Sequence, residues 1–434
     1  MAAKRKDVSP ARRAAFEILR RVADGAFSSV LLAAEEPNLK PADRALCHEL
    51  VLGVLRRQLF LDKIVEHFAK RRVDNLDLAV RIALRLGLYQ LHFLTRIPAA
   101  AAVNESVTLV RSAKLSSAAA FVNAVLRRAI RESDYDPAAE ARDPVEKIAI
   151  ETSHPRWLLD RWINAFGLAE AEAFARANND IPPTAFRVVH TRASQEDVLS
   201  KLTAAGASLD PSRIAENAFR ISGAPGVLRE LSAAGQIYLQ DEASQLVPQL
   251  VSLQPGERAL DLCAAPGGKT TLLADRVNDD AFIVAADRSA TRMTTVSATT
   301  ALHQLRNINP LLLDAGHQLP FAPASFDRVL VDAPCSGTGT LRRNPEIRWR
   351  LSDDDFQIFA AAQKQFLHNA AAVLKPGGRL VYSTCSVEHE ENEAVVAGFL
   401  ERHREFSQLN WMRTWPHREG SDGFFMAVLE RSRS

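Results

Sequence analysis

At 434 residues, with 47% hydrophobic and 24% charged residues, the chain is too long for one hydrophobic core and has the balance of a globular protein of two or three domains. No apolar run approaches the roughly 18–20 residues that a membrane helix needs, so no membrane partner is expected. Met1–Asp7 is charged with no apolar stretch behind it, which predicts no signal peptide. The four cysteines (Cys47, Cys263, Cys335, Cys385) form no C-x-x-C, so neither a disulfide framework nor a metal site is expected, and a reducing cytoplasm is the expected setting.

The net charge of +2 hides an asymmetry: residues 1–135 hold 23 Lys and Arg against 14 Asp and Glu, and the remainder holds 31 against 38. A basic N-terminal third suggests a polyanionic partner for that third, although solvated helix faces would look the same. From Ala11 to about Arg131 the pattern is helical. Leu46, Leu50, Val51, Val54 and Leu55 lie on one face of a helix over 42–56, and Ile82–Leu94 is apolar on nearly every face, which predicts the central helix of a bundle. Basic pairs stand near several helix ends, among them Arg12-Arg13, Arg56-Arg57 and Arg127-Arg128, where they suit either the helix dipole or phosphate.

Asp43-Arg44 through Leu55-Arg56-Arg57, Leu86-Gly-Leu-Tyr-Gln-Leu91, Ala102-Val-Asn-Glu105 and Phe121-Val-Asn-Ala-Val-Leu-Arg127 resemble the RNA-binding NusB-like helical domain. That domain begins bacterial ribosomal RNA cytosine-5 methyltransferases of the RsmB, Sun or Fmu type.

Ser133–Pro144 is polar and turn-rich, a candidate linker. His154, beside Pro155, reads as a site residue or, more simply, as part of a helix-starting turn. Helices are predicted over 158–166 and 169–178. A small α+β module should follow, with strands at Phe186–His190, Phe219–Ile221 and Gln236–Leu239 and a helix over 196–205. No residue of this module carries chemistry by itself.

From Gln240 strands and helices alternate, the pattern of a doubly wound, Rossmann-like α/β domain with its ligands at the C-terminal ends of the strands. Strands are predicted at 259–263, 283–287, 311–313, 327–332 and 379–384. The stretch Leu260-Asp-Leu-Cys-Ala-Ala-Pro-Gly-Gly-Lys-Thr270 is a strand, a glycine turn and a helix start, an arrangement that presents backbone N–H groups to a nucleotide-like cofactor. It matches neither G-x-G-x-x-G nor the phosphate-cradling G-x-x-x-x-G-K-[ST], which favours a cofactor without a pyrophosphate, such as S-adenosylmethionine, and counts against a nicotinamide dehydrogenase. Asp287, 20 residues after Gly267, ends the next strand, where it could accept from ribose hydroxyls or cap the following helix. Asp314 follows Leu311–Leu313 in the same way and could meet an adenine amino group.

Asp332-Ala-Pro-Cys335-Ser-Gly-Thr-Gly339 and Tyr382-Ser-Thr-Cys385-Ser386 place two thiols at adjacent strand tips. Either alone reads as an inert core thiol, but the pair at a cofactor mouth points to chemistry. A thiolate adding to C6 of cytosine makes C5 nucleophilic enough to take a methyl group, and Asp332 is the candidate contact to N3. Which thiol attacks is not fixed by their spacing.

These stretches, with Phe326–Asp332, Ser383–Glu393, Arg342-Arg-Asn-Pro-Glu-Ile-Arg-Trp349 and Asp422-Gly-Phe-Phe425, extend the resemblance to the RNA cytosine-5 methyltransferases over essentially the whole chain. The resemblance implies that Cys263, Ala264, Ala265, Pro266, Gly267, Gly268, Lys269, Asp287, Asp314 and Asp332 bind S-adenosylmethionine, that Cys385 is the nucleophile and that Cys335 helps release the product. It further implies a NusB-like bundle over 8–135, an RNA-facing α+β module over 145–239 and a methyltransferase domain over 240–434. A monomer acting on one cytosine of free or partly assembled 16S rRNA is expected. An RNA-binding or antitermination factor with a degenerate catalytic half is the alternative of another class, and the intact Cys335, Cys385 and Asp332 speak against it.

Overall fold

The structure is a computed structural model and describes residues 8–433; the charged stretch read for a signal peptide, Met1–Asp7, lies outside the described residues. The chain divides into two compact units, one of residues 1–180 with 341–350, the other of 181–340 with 351–434.

The first unit is helical: α1 (Pro10–Ala23), α2 (Ser28–Glu35), α3 (Pro41–Arg56), α4 (Gln58–Ala69), α5 (Leu78–Phe93), α6 (Ala99–Ser112), α7 (Ala119–Arg131), α8 (Pro144–Thr152), α9 (Arg156–Phe166) and α10 (Leu168–Ala177). Pro at the first position opens α1, α3 and α8, where a missing N–H costs nothing. Asp77 caps α5 by accepting from Ala79 N at 2.8 Å. α5 packs on α1, α3, α4, α6 and α7, as its all-round apolar pattern predicts, and the one charge it buries, Arg85, forks onto both oxygens of Asp62 at 2.7 Å. The stretch expected as a linker is ordered: Ala138 is buried, and α8 begins at its end because Asp143 caps Val145 N. His154 is buried on the edge of Trp162, with Nδ1 3.1 Å from Thr152 Oγ1, the quieter of its two readings.

Residues 341–350 belong to this helical unit, with a 3-10 turn over Pro345–Trp349. Glu346 accepts from Ser28 N and Oγ at 2.8 and 2.9 Å. Arg348 is fully buried and donates to the carbonyls of Thr152, Ser153 and Asn178 and to Asn179 Oδ1. Burial, then the charges of Arg56 and Arg57, push its guanidinium down to about 9.

The second unit begins with β1 (Thr184–Val188), α11 (Gln195–Ala204), β2 (Ser208–Pro211), β3 (Ala218–Ser222), α12 (Pro225–Ala233) and β4 (Ile237–Leu239). Its four strands form an antiparallel sheet in the order β2-β3-β1-β4 over a core of Phe186, Val198, Leu202, Leu231 and Ile237. α13 (Glu242–Val251), β5 (Arg258–Asp261), α14 (Gly268–Arg276), β6 (Phe282–Asp287), α15 (Ala290–Leu302), β7 (Ile308–Leu312), β8 (Phe326–Asp332), α16 (Asp353–Val373), β9 (Leu374–Thr384), α17 (Glu393–Arg402), β10 (Phe406–Thr414) and β11 (Phe424–Arg431) complete it.

The large sheet has the order β10-β11-β9-β8-β5-β6-β7. β7, β6, β5, β8 and β9 are parallel, in keeping with the doubly wound expectation, while β11 and β10 add an antiparallel pair on the β9 side. The chain runs outward from β5 through β6 to β7, then returns to β8 on the other side of β5. That reversal leaves a crevice at the C-terminal ends of β5 and β8. α14 is anchored to the small sheet from below: buried Arg187 of β1 donates to Thr271 Oγ1 at 3.0 Å and pairs with Asp275 at 3.5 Å.

Candidate active site

β5 ends at Asp261, and the chain turns through Leu262–Gly267 into α14. Gly267 sits at φ +104°, a conformation that side chains resist, and a Cβ there would lie 3.2 Å from Val296 Cα. Asp261 accepts from Thr270 Oγ1 at 2.7 Å, and burial pushes its carboxyl up to about 7 against that hydrogen bond. Cys263 is pushed well above the ordinary thiol range by burial and then by the charges of Asp261, Asp332 and Asp287, so it stays a neutral thiol.

Lys269, on the first turn of α14, donates to Asp332 Oδ2 at 2.6 Å, and its ammonium lies 5.0 Å from the centre of the Phe424 ring. Burial works against the charge on Lys269, but Asp332, then Cys385 and Asp261, outweigh it and hold the ammonium above its ordinary value. The other oxygen of Asp332 accepts from Ser383 Oγ at 2.7 Å. Both oxygens of the expected base contact are therefore already engaged by protein groups.

The two thiols meet. Cys335 Sγ lies 3.3 Å from Cys385 Sγ, each thiol sitting just beyond the tip of its strand, β8 or β9. Hydrogen bonding to Cys385, then burial, then the charges of Cys385 and Glu391, raise Cys335 well above the ordinary thiol range.

A cleft of about 200 Å³ is lined by Asp261, Cys263, Ala264, Ala265, Pro266, Gly268, Lys269 and Asp332 together with Tyr238, Leu239, Gln240 and Ser244. Asp287, at the end of β6, accepts from Ser289 N at 2.9 Å and pairs with Arg292 at 3.3 Å, and Arg292 also reaches the carbonyl of Ala265. The carboxylate thus serves the turn before α15 and, through Arg292, is linked to the glycine loop, but Asp287 does not itself line the cleft. Asp314 follows β7, is half-exposed, and accepts from Gly316 N at 2.8 Å; it does not line the cleft.

Sequence reading missed Tyr238, Gln240, Ser244, Arg292 and Ser383. Tyr238 packs so closely on Gly268 that a Cβ there would come within 2.7 Å of its ring, a signal that no spacing rule carries. Ser383 lay inside a stretch already singled out, two residues before Cys385.

A parallel sheet with its glycine turn at the first strand and a cation–carboxylate pair at the mouth is the architecture of an S-adenosylmethionine-dependent methyltransferase. The family model described as 16S rRNA methyltransferase RsmB/F matches residues 248–430, that of the NusB family matches 9–131, and that of a RsmF/B-like ferredoxin-like domain matches 154–228. The chain belongs to the RsmB/F family of 16S rRNA methyltransferases. It is 31% identical over 427 residues to a probable ribosomal RNA small subunit methyltransferase B of Bacillus subtilis, covering 94% of this chain and 95% of the relative. It is 36% identical over 438 residues to ribosomal RNA small subunit methyltransferase B of Pseudomonas putida, covering 96% and 98%. A solved crystal structure superposes with a TM-score of 0.86 at 28% identity, covering 99% of this chain and all of its own. A methyltransferase homologue from Pyrococcus horikoshii, also 28% identical, covers 67% of this chain and 99% of its own with a TM-score of 0.60.

Proposed function

We propose that the chain methylates C5 of one cytosine in 16S rRNA through a covalent adduct between Cys385 and C6 of the base. The observation that carries this reading is the thiol pair, 3.3 Å apart, beside the partly buried Lys269–Asp332 ion pair at the mouth of the crevice.

The cleft suits the methyl donor. Among the described residues, Gln240 Oε1 and Asp261 Oδ1 are buried acceptors with no hydrogen-bond partner, and Lys269 is a partly buried cation. Unsatisfied acceptors and a cation side by side match the ammonium and carboxylate of an amino-acid-bearing cofactor. Cys263–Lys269, Asp287, Asp314 and Asp332 are the residues we assign to holding it. When bound, S-adenosylmethionine supplies an electrophilic methyl on a sulfonium.

C5 of cytosine is too weak a nucleophile to take that methyl unaided. A free thiol has a pKa of about 8.5, so the attacking sulfur needs help from its surroundings. Lys269 places positive charge near Cys385, and Cys335 can donate its proton toward the Cys385 sulfur. Attack by Cys385 forms the S–C6 bond and leaves C5 enamine-like. Once C5 has taken the methyl, its proton passes to a base, the C5–H electron pair re-forms the C5=C6 bond, and the S–C6 pair leaves with sulfur, restoring the aromatic ring and freeing Cys385 as a thiolate. Cys335, within contact of that sulfur, serves the release. Asp332, already held by Lys269 and Ser383, is poised to meet N3 of the base.

The target base must be unpaired or extruded to reach two thiols at strand tips, which favours free or partly assembled RNA. We assign RNA binding to the helical domain and the small α+β module, and a monomer in the cytoplasm fits such a substrate. Cys385→Ala should abolish transfer, whereas Cys335→Ala should trap a covalent protein–RNA complex that denaturing gels resolve. The opposite pattern would exchange the two roles.

A further inference from the structure

Glu391, in the turn between β9 and α17, is fully buried. Its Oε2 accepts from Ser336 N at 2.8 Å and from Gln363 Nε2 at 3.1 Å. Its Oε1 accepts from Ser386 Oγ at 2.6 Å and from Ser336 Oγ. Ser336 directly follows Cys335, and Ser386 directly follows Cys385. Gln363 of α16 also donates to the carbonyl of Pro334 at 3.0 Å, so the residues on both sides of Cys335 are tied to one carboxylate. The two serine hydroxyls lie 3.1 Å apart, and Thr338 Oγ1 adds a contact to Ser386 Oγ at 3.3 Å. Glu391 is fixed in turn by the Tyr382 hydroxyl, which donates to its backbone carbonyl.

Nothing about folding a strand tip demands a carboxylate here. Burying one costs several kcal/mol unless its oxygens are filled, and these four donors are all neutral. The common feature of the donors is their place in sequence, next to one thiol, next to the other, or bracing the first. We infer that Glu391 is a positioning residue for the reaction, tying the Cys335 and Cys385 loops together so that the two sulfurs stay in contact while one attacks and the other serves release. Its negative charge also favours the protonated form of Cys335. The assignment of those two tasks rests on the thiol chemistry proposed above; the tie between the loops does not.

Glu391→Gln keeps the shape, removes the charge and reverses the bonds to the serine hydroxyls, because an amide nitrogen can only donate. Ser386→Ala cuts one strand of the tie and leaves the carboxylate in place. In both variants single-turnover methyl transfer should fall about 10–100-fold, the scale of a small misplacement of reacting groups, with cofactor Kd within about twofold of wild type. Oxidation by diamide, which removes two electrons and two protons from a thiol pair, should close a Cys335–Cys385 disulfide quickly in the wild type and about tenfold more slowly in either variant, read by peptide mapping. Wild-type rates of transfer and of disulfide closure in folded Glu391→Gln and Ser386→Ala proteins would overturn the inference. So would a loss of cofactor affinity and thermal stability equal to the loss of transfer, which would mark a merely structural role. Failure of the thiol chemistry would look different: Cys335→Ala would trap no adduct, while disulfide closure would still report whether Glu391 sets the distance.

Discussion

His303, which directly follows α15, is fully buried, stands edge-on to Tyr238 at 5.6 Å, and has no hydrogen-bond partner at either ring nitrogen among the described residues. Burial, reinforced by the charge of Arg187, pushes it down to about 4. Folded protein therefore keeps this ring neutral while the unfolded chain protonates it near pH 6.5. The stability it contributes is present above pH 6.5 and drains away as the pH falls toward 4, by about 3 kcal/mol at most. Urea melts should show that loss in the wild type and a smaller one in His303→Phe. No residue rule could have found it, because a lone histidine after a helix carries no pattern. Cys335, Cys385, Asp332 and Lys269 could be singled out because each lies at or just beyond a strand tip or at a helix start, while the roles proposed for them came from the resemblance. Glu391 stood within a stretch already read as part of the site, yet its task depends on Ser336, which is 55 residues away.

At the scale of elements, two glycine motifs explain each other. Gly339, beyond Cys335, donates its N–H to the carbonyl of Cys385 at 2.9 Å, and Gly423 donates to the carbonyl of Gly339 at 2.8 Å. A Cβ on Gly339 would lie 1.9 Å from the Gly423 carbonyl oxygen, backbone against backbone, so neither side can give way cheaply. Gly339→Ala should cost about 1–3 kcal/mol or more in denaturant melts and lower transfer more steeply than cofactor binding. Contradiction would be a variant with wild-type stability and rate. Strands β5, β6, β8 and β9 were readable because each is an apolar run that ends in a polar residue and a turn or loop. β10 and β11 were not: β11, paired with β9, is buried along most of its length, and β10, paired with β11, exposes Leu409 and Trp411, so neither strand alternates. α8 went unread at the end of the apparent linker since Asp143-Pro144 signals a turn and a helix start equally well.

At the scale of the whole molecule, the sequence divides its charge, with the basic third in the helical unit and the two thiols beyond strand tips of the other unit. What it conceals is the membership of residues 341–350. They follow the Cys335 loop directly, yet Arg348 donates to the carbonyls of Thr152, Ser153 and Asn178, which lie 196, 195 and 170 residues earlier. Only the folded chain brings those acceptors together. The central claim is the reaction itself. Protein-free 16S rRNA incubated with the enzyme and methyl-labelled S-adenosylmethionine, then digested and mapped nucleotide by nucleotide, should carry the label on C5 of a single cytosine. Label on another atom or base, or no transfer by protein that has bound the cofactor, would contradict it.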